Sequence, residues 1–279
     1  MAAPQPKLPP LRDVIALYKL SARRALGQHY LLDLNITDRL VRIAGDLTQT
    51  HVIEIGPGPG GLTRSLLNAG AAHVTAIERD DRCIPALQEL QTAYPNRLTI
   101  IEDDALKINP IDVSEAPRQI IANLPYNIAT PLLIGWLRQA SEWRGFVLML
   151  QKEVADRITS APGLKTYGRL SVLVQWLCSA KSEFNVNKQA FVPPPKVMSS
   201  VISLKPHDQP EQNVSWKALE TVTQAAFGQR RKMLRSSIKP LGLDIESLNI
   251  DPTLRAEDLS VSDYCRLARA YTDSVQHKK

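Results

Sequence analysis

Near the middle of the chain, Asn123, Leu124, Pro125 and Tyr126 follow the apolar run 120–122 and precede a segment with helical spacing. An amide side chain, a carbonyl ahead of a proline and an aromatic ring are suited to holding a flat, amine-bearing ring. The residue before a proline is pushed toward extended backbone, which keeps the Leu124 carbonyl out of helical hydrogen bonding and free for a ligand. With the Asn123 side-chain oxygen it offers two acceptors, and Tyr126 offers a stacking face worth about 1–3 kcal/mol per nucleobase. Two acceptors on the two N–H groups of an exocyclic amine such as adenine N6 pull that nitrogen toward tetrahedral geometry and aim its lone pair at an electrophile. Standing alone, the tetrapeptide is better read as a turn in which Asn caps and Tyr packs.

Its neighbours give it meaning. "EIGPGPGGLT", Glu54 to Thr63, matches G-x-G-x-x-G between an apolar strand and a helix, with Gly56 and Gly58 in the turn. Glu78 follows at the end of the next strand, about 20 residues on, where a carboxylate can grip a ribose diol bidentately. Pro57 and Pro59 each remove a backbone N–H that a pyrophosphate would use. The loop therefore favours a nucleoside cofactor without phosphate, S-adenosylmethionine, over NAD. Asp103 and Asp104 end a third strand, where a carboxylate can accept from an adenine amine. In "QAFVPPPKVMSS", Phe191 precedes three prolines that stiffen a loop. It suits either the second face of a flipped adenine or a place in the core.

Strands that can position these groups are read from "HVIEIG", "HVTAIERD", "RLTIIEDDA", "RQIIANLP" and the start of "EWRGFVLMLQKEVADRI", separated by helix-length segments. This alternation implies a doubly wound α/β sheet with parallel pairing and right-handed crossovers. Every unusual motif falls at a strand's carboxyl end, where such sheets bind ligands. After the polar, proline-containing stretch 203–216 only helical spacing remains. The expected organisation is an N-terminal arm over 1–20, a catalytic domain over 21–205 and a small all-α domain over 206–279, with the proline-rich opening disordered.

Composition bounds the rest. Of 279 residues, 44% are hydrophobic and 22% charged, the profile of a globular chain with room for a full domain and a smaller one, and the net charge of +6 favours an anionic partner. Three scattered cysteines and five scattered histidines suggest neither a disulfide framework nor a metal site, and no metal is expected. No apolar run approaches the roughly 20 residues of a membrane span. In "GQRRKMLRSSIK" five basic residues, Arg230, Arg231, Lys232, Arg235 and Lys239, occur without an acid. On a continuous helix Arg231, Arg235 and Lys239 share a face that suits phosphate contact, supported by Arg23 and Arg24 in the arm.

Taken together, "ALGQHYLLD", "EIGPGPGGLT", "AIERD", "EDDAL", "NLPYNIATP", "FVPPPKVMSS" and "FGQRRKMLRSSI" resemble, in order and spacing, the small-subunit ribosomal RNA adenine N6-dimethyltransferases. The resemblance runs from about Leu20 to about Tyr271. It implies a Rossmann-like methyltransferase sheet and dimethylation of two adjacent adenosines in a hairpin near the 3′ end of small-subunit rRNA, within the small ribosomal subunit. Carried over by motif, cofactor contacts fall on Gln28, His29, Leu31, Gly56, Gly58, Glu78, Asp104 and Asn123, and substrate-base contacts on Asn123 to Tyr126 and Phe191. His29 stands where the motif usually has Asn, and Met198 where an acid is common. The alternatives within this resemblance are the large-subunit enzyme of macrolide resistance and a non-catalytic assembly or mitochondrial transcription factor. A monomer in the bacterial cytoplasm is expected, with the mitochondrial matrix as the other compartment.

Overall fold

The computed structural model describes residues 6–23, 26–211 and 214–276. The chain divides into two compact units, one of residues 1–152 with 182–205 and one of residues 153–181 with 206–279. The domain boundary expected near residue 205 is thus only one of the crossings. The stretch 153–181, assigned from sequence to the catalytic domain, clusters with the C-terminal helices.

The first unit is built on β2 (His51–Ile55), β3 (His73–Glu78), β4 (Leu98–Glu102), β5 (Arg118–Asn123) and β6 (Gly145–Gln151), the five strands expected. They lie parallel in the order β4-β3-β2-β5-β6. β9 (Ser199–Pro206) adds antiparallel to β6, and β7 (Cys178–Val186) lies outside it. β2, β3, β5 and β6 are buried along nearly their whole length, as a parallel sheet covered on both faces requires. The connections α2 (Leu34–Ala44), α3 (Gly61–Asn68), α4 (Ile84–Ala93) and α5 (Ala129–Leu137) supply the cover. α3 stops where Gly70, at φ +87°, lets its own N–H and that of Ala71 turn back to the carbonyls of Leu67 and Leu66.

The chain leaves β2 toward β3 on one side and leaves β5 toward β6 on the other. The loops after β2 and β5 therefore diverge, opening a crevice at the carboxyl ends of the strands.

The arm expected to be disordered is ordered over its described part. α1 (Leu11–Leu17) buries Leu11 and Val14, the Pro9 carbonyl accepts from Arg64 Nη1 at 2.6 Å, and the Tyr18 hydroxyl donates to Glu89. Leu11, Val14 and Tyr18 recur at helical spacing, a signal that the flanking prolines masked. Residues 1–5 lie outside the described residues. A short antiparallel pair, β1 (Tyr30–Leu31) with β8 (Phe191–Val192), joins the N-terminal motif to the proline loop.

At the amino ends of β2 and β3, opposite the crevice, His51 and His73 are register partners with ring centroids 4.8 Å apart. His51 Nδ1 accepts from the Glu115 N–H at 3.1 Å, so its proton sits on Nε2, 2.8 Å from Thr75 Oγ1. Burial first, then His73 and the Arg118 cation, hold its pKa down to about 4. The unfolded chain, titrating near 6.5, binds more protons between those values, so stability falls as pH drops through that window. The melting temperature is expected to fall more between pH 7 and pH 5 in the native protein than in a His51→Asn variant. An equal fall in both would remove His51 as the cause.

The second unit is helical. α6 (Lys152–Thr159) carries the chain into it, and α7 (Arg169–Leu177), α8 (Trp216–Gly228), α9 (Leu234–Ser237) and α10 (Val261–Gln276) enclose a core of Tyr167, Leu173, Leu219, Val222, Tyr264 and Leu267.

Candidate active site

The crevice at the carboxyl ends of β2 to β5 is lined by nearly all the residues singled out for chemistry: Gln28, His29 and Leu31; Gly56 and Gly58; Glu78; Asp104; and Asn123, Leu124, Pro125 and Tyr126. The glycine loop turns through positive φ at Gly56, Gly58 and Gly60. Side chains are excluded there twice over. A Cβ on Gly58 would lie 3.1 Å from the Tyr30 ring, and one on Gly60 would lie 2.5 Å from Leu90 Cδ1. Pro125 packs against Gly56, with its Cγ 3.4 Å from where a Cβ would stand, so the loops after β2 and β5 meet across the crevice.

Glu78 is buried, 5% exposed, and commits most of its acceptor capacity to backbone. Its Oε2 accepts from Gly58 N–H at 2.8 Å, and its Oε1 accepts from Arg79 and Asp80 N–H at 2.9 and 2.8 Å. Burial raises its pKa, against the lowering effect of these three donors. A carboxylate offers about four lone-pair sites. One remains here, on Oε2, so Glu78 anchors the glycine loop through its carboxylate and keeps one acceptor site beside the crevice.

Asp104 Oδ1 accepts from Leu106 N–H at 3.1 Å, and its Oδ2 lies 3.2 Å from Arg79 Nη1, leaving acceptor sites open to an amine. Glu54, immediately ahead of the glycine loop, also lines the crevice and was missed from sequence. Burial pushes its pKa up to about 8, against the hydrogen bond from Thr63 Oγ1 at 2.7 Å, with the nearby Glu78 charge adding to the rise. Its signal was an acid between Ile53 and Ile55 in an otherwise apolar part of the strand, a position that imposes desolvation without an evident partner.

At the end of β5 the Leu124 N–H donates to the Met149 carbonyl at 3.2 Å, which fixes the loop to β6. Among the described residues no hydrogen bond engages the Asn123 side chain or ends on the Leu124 carbonyl. Both residues line the crevice, and these two acceptors are left without a partner among the described residues. Tyr126 is held through its hydroxyl, 2.6 Å from Ser199 Oγ, and its ring stacks with His29 at a centroid distance of 5.8 Å and 30° between planes.

Several expectations change. Phe191 does not line the crevice; it is 1% exposed in the core with Leu31, Val186 and Val201, because its β8 register opposite Leu31 turns the ring inward. Gln28 lines the crevice, but its amide is committed to Asp80 Oδ2, the Arg23 N–H and the Tyr30 hydroxyl, which makes it a brace of the N-terminal motif. His29 faces Tyr126 and donates from Nδ1 to the Pro193 carbonyl at 2.8 Å. Arg23 lies 3.5 and 3.7 Å from Asp80 and Asp81 rather than standing unpaired, and Arg24 is outside the described residues. Asp80 itself is held at about 2: burial would raise it, but hydrogen bonds from Arg82 and Gln28 outweigh that.

In the second unit the basic stretch is not one helix. α8 ends at Gly228, and the N–H groups of Leu234 and Arg235 turn to the Leu254 and Pro252 carbonyls at 2.7 and 3.1 Å. Arg231 and Lys232 therefore sit on a turn, Arg235 on α9 and Lys239 on a single 3₁₀ turn. Arg230 is withdrawn into an ion pair with Glu257 and a bond to the Lys165 carbonyl. Arg231, Lys232, Arg235 and Lys239 are exposed, and none has an ion pair among the described residues.

Residues 19–273 match the family model described as ribosomal RNA adenine dimethylase. The chain is 58% identical over 267 residues to ribosomal RNA small subunit methyltransferase A of Rhodospirillum rubrum, covering 94% of this chain and 92% of the relative. It is 56% identical over 266 residues to the protein of the same name in Paramagnetospirillum magneticum, covering 94% and 95%. Among solved structures it resembles a dimethyladenosine transferase from Plasmodium falciparum, with a TM-score of 0.75 at 26% identity over 86% of this chain and 96% of the other.

Proposed function

The chain belongs to the ribosomal RNA adenine dimethylase family, and from that membership we propose that it dimethylates N6 of two adjacent adenosines in a hairpin near the 3′ end of small-subunit rRNA. One observation carries the assignment of the reacting site. The Asn123 side chain and the Leu124 carbonyl are both unengaged among the described residues, and both residues line the crevice that also holds the glycine loop and Glu78.

S-adenosylmethionine is the cofactor, and when bound it supplies a methyl group on a sulfonium, an electrophile that needs no activation by the protein. The residues fit it. Positive-φ glycines let the loop turn at the crevice while packing against Pro125, Tyr30 and Leu90, where a side chain has no room. Glu78 keeps one acceptor site for a ribose hydroxyl, Asp104 has acceptor capacity for an adenine amine, and Pro57 and Pro59 withhold donors that only a phosphate would need.

The chain's own work is alignment. Asn123 Oδ1 and the Leu124 carbonyl each accept one N–H of the target amine and turn its lone pair out of the ring. Pro125, packed on Gly56, fixes that carbonyl relative to the cofactor loop. Tyr126 supplies the stacking face. No strong base is needed, because the N–H bond weakens only as the C–N bond forms.

The relatives from Rhodospirillum rubrum and Paramagnetospirillum magneticum support action on the small subunit in a bacterial cytoplasm. Among the described residues no helix is long and apolar enough to cross a membrane. Methyl label should enter unmethylated small subunits and not large subunits; the reverse preference would refute the substrate assignment.

The unpaired cations of the second unit bind RNA phosphates in this reading. Changing Arg231 and Arg235 together to Ala should weaken RNA binding and reduce the slope of log affinity against log salt by about 1 for each phosphate no longer neutralised. Affinity for S-adenosylmethionine should be retained. An unchanged slope would remove these residues from the RNA surface.

A further inference from the structure

The motif "FVPPPKVMSS" was expected to act through Phe191, and that ring lies in the core. Two other groups of the same motif touch residues that line the crevice. Ser199, fully buried at the start of β9 opposite Gln151, places its Oγ 2.6 Å from the Tyr126 hydroxyl. The Pro193 carbonyl accepts from His29 Nδ1, and His29 lies against the face of Tyr126. Tyr126 is therefore held at its rim by one end of the motif and, through His29, on one face by the other end.

Resting on the proposed acceptor chemistry, we propose that Ser199 and His29 are positioning residues that lock Tyr126 as a one-sided stacking platform for the target adenine. A base intercalated between two rings needs about 7 Å between them, two stacking layers of about 3.5 Å. The His29 and Tyr126 centroids are 5.8 Å apart, so no base fits between them. His29 closes one face of the ring, and the adenine takes the other. The Ser199 bond fixes the ring's rotation and tilt, and with them the position of the amine relative to Asn123 and Leu124. This gives the proline loop a role that needs no movement of Phe191 out of the core.

A double-mutant cycle on single-turnover methylation of unmethylated small subunits, at saturating S-adenosylmethionine, tests this. Ser199→Ala and Tyr126→Phe each delete one partner of the same bond. Each should slow methyl transfer roughly five- to tenfold, the net worth of one neutral hydrogen bond, and the double variant should be no slower than the worse single. Cofactor affinity should not change, which separates positioning from general structural damage. Unchanged single-variant rates, or losses that multiply in the double variant, would overturn the clamp. Tyr126→Ala tests the reading beneath it: with stacking gone the rate should collapse by more than either single variant. A Tyr126→Ala enzyme at full rate would refute the stacking role itself, whereas collapse there beside undisturbed Ser199→Ala and Tyr126→Phe rates would refute the clamp alone.

Discussion

Replacing Asn123 by alanine is expected to lower methyl transfer about 10²–10³-fold while changing S-adenosylmethionine affinity by less than about tenfold. The magnitude follows from what one prepositioned hydrogen-bonding group is worth at a reacting atom. The direction follows from the site: the Asn123 amide makes no hydrogen bond among the described residues, so its removal breaks no structural network. What is lost is one of the two acceptors that turn the amine's lone pair outward. Rapid-quench methylation of small subunits, beside calorimetric titration of the cofactor, separates the two effects. A rate within threefold of the native enzyme would mean that the acceptor amine is aligned elsewhere.

Replacing Glu78 by glutamine should have the opposite signature, weakening the cofactor about 100-fold. The substitution is nearly isosteric, yet it cannot be accommodated electrically. Both native oxygens accept from backbone N–H groups, so either orientation of the amide puts an NH₂ against a donor. The buried donors of Gly58, or of Arg79 and Asp80, lose a charge-assisted bond worth about 1.5–3 kcal/mol each. The glycine loop then loses its anchor, and the ribose its acceptor. Calorimetry against S-adenosylmethionine and a thermal melt should show both effects. An unchanged affinity would place the cofactor away from Glu78.

The parts of this molecule that follow local rules were legible in the sequence. Four of the five parallel strands announced themselves as short apolar runs closed by glycine, aspartate or proline, the fifth as the apolar run 146–150, and the crevice followed from where their carboxyl ends had to lie. Asn123 to Tyr126 and the glycine loop were readable because a proline or a glycine constrains its own backbone. What escaped depended on distant partners. The Tyr126–Ser199 contact spans 73 positions, and nothing local to either residue reveals it. Phe191 was placed wrongly because its facing is set by pairing with Leu31, a residue of the N-terminal motif. The basic stretch kept helical spacing on paper, but backbone donors of Leu234 and Arg235 found carbonyls in the segment 252–254 and ended the helix there. Arg230 differs from its neighbour Arg231 in having Glu257 and the Lys165 carbonyl within reach. The helix expected after β6 gave no sign of which core the stretch 153–181 joins.

The chemical product is the most direct test of the proposed reaction. Native enzyme, S-adenosylmethionine and unmethylated small subunits should be combined, and the rRNA digested and mapped by mass spectrometry. N6,N6-dimethyladenosine at two adjacent positions near the 3′ end, four methyl groups per subunit, is the predicted result. Label on large-subunit rRNA, on a base other than adenine, or on no RNA despite measurable cofactor binding would contradict it.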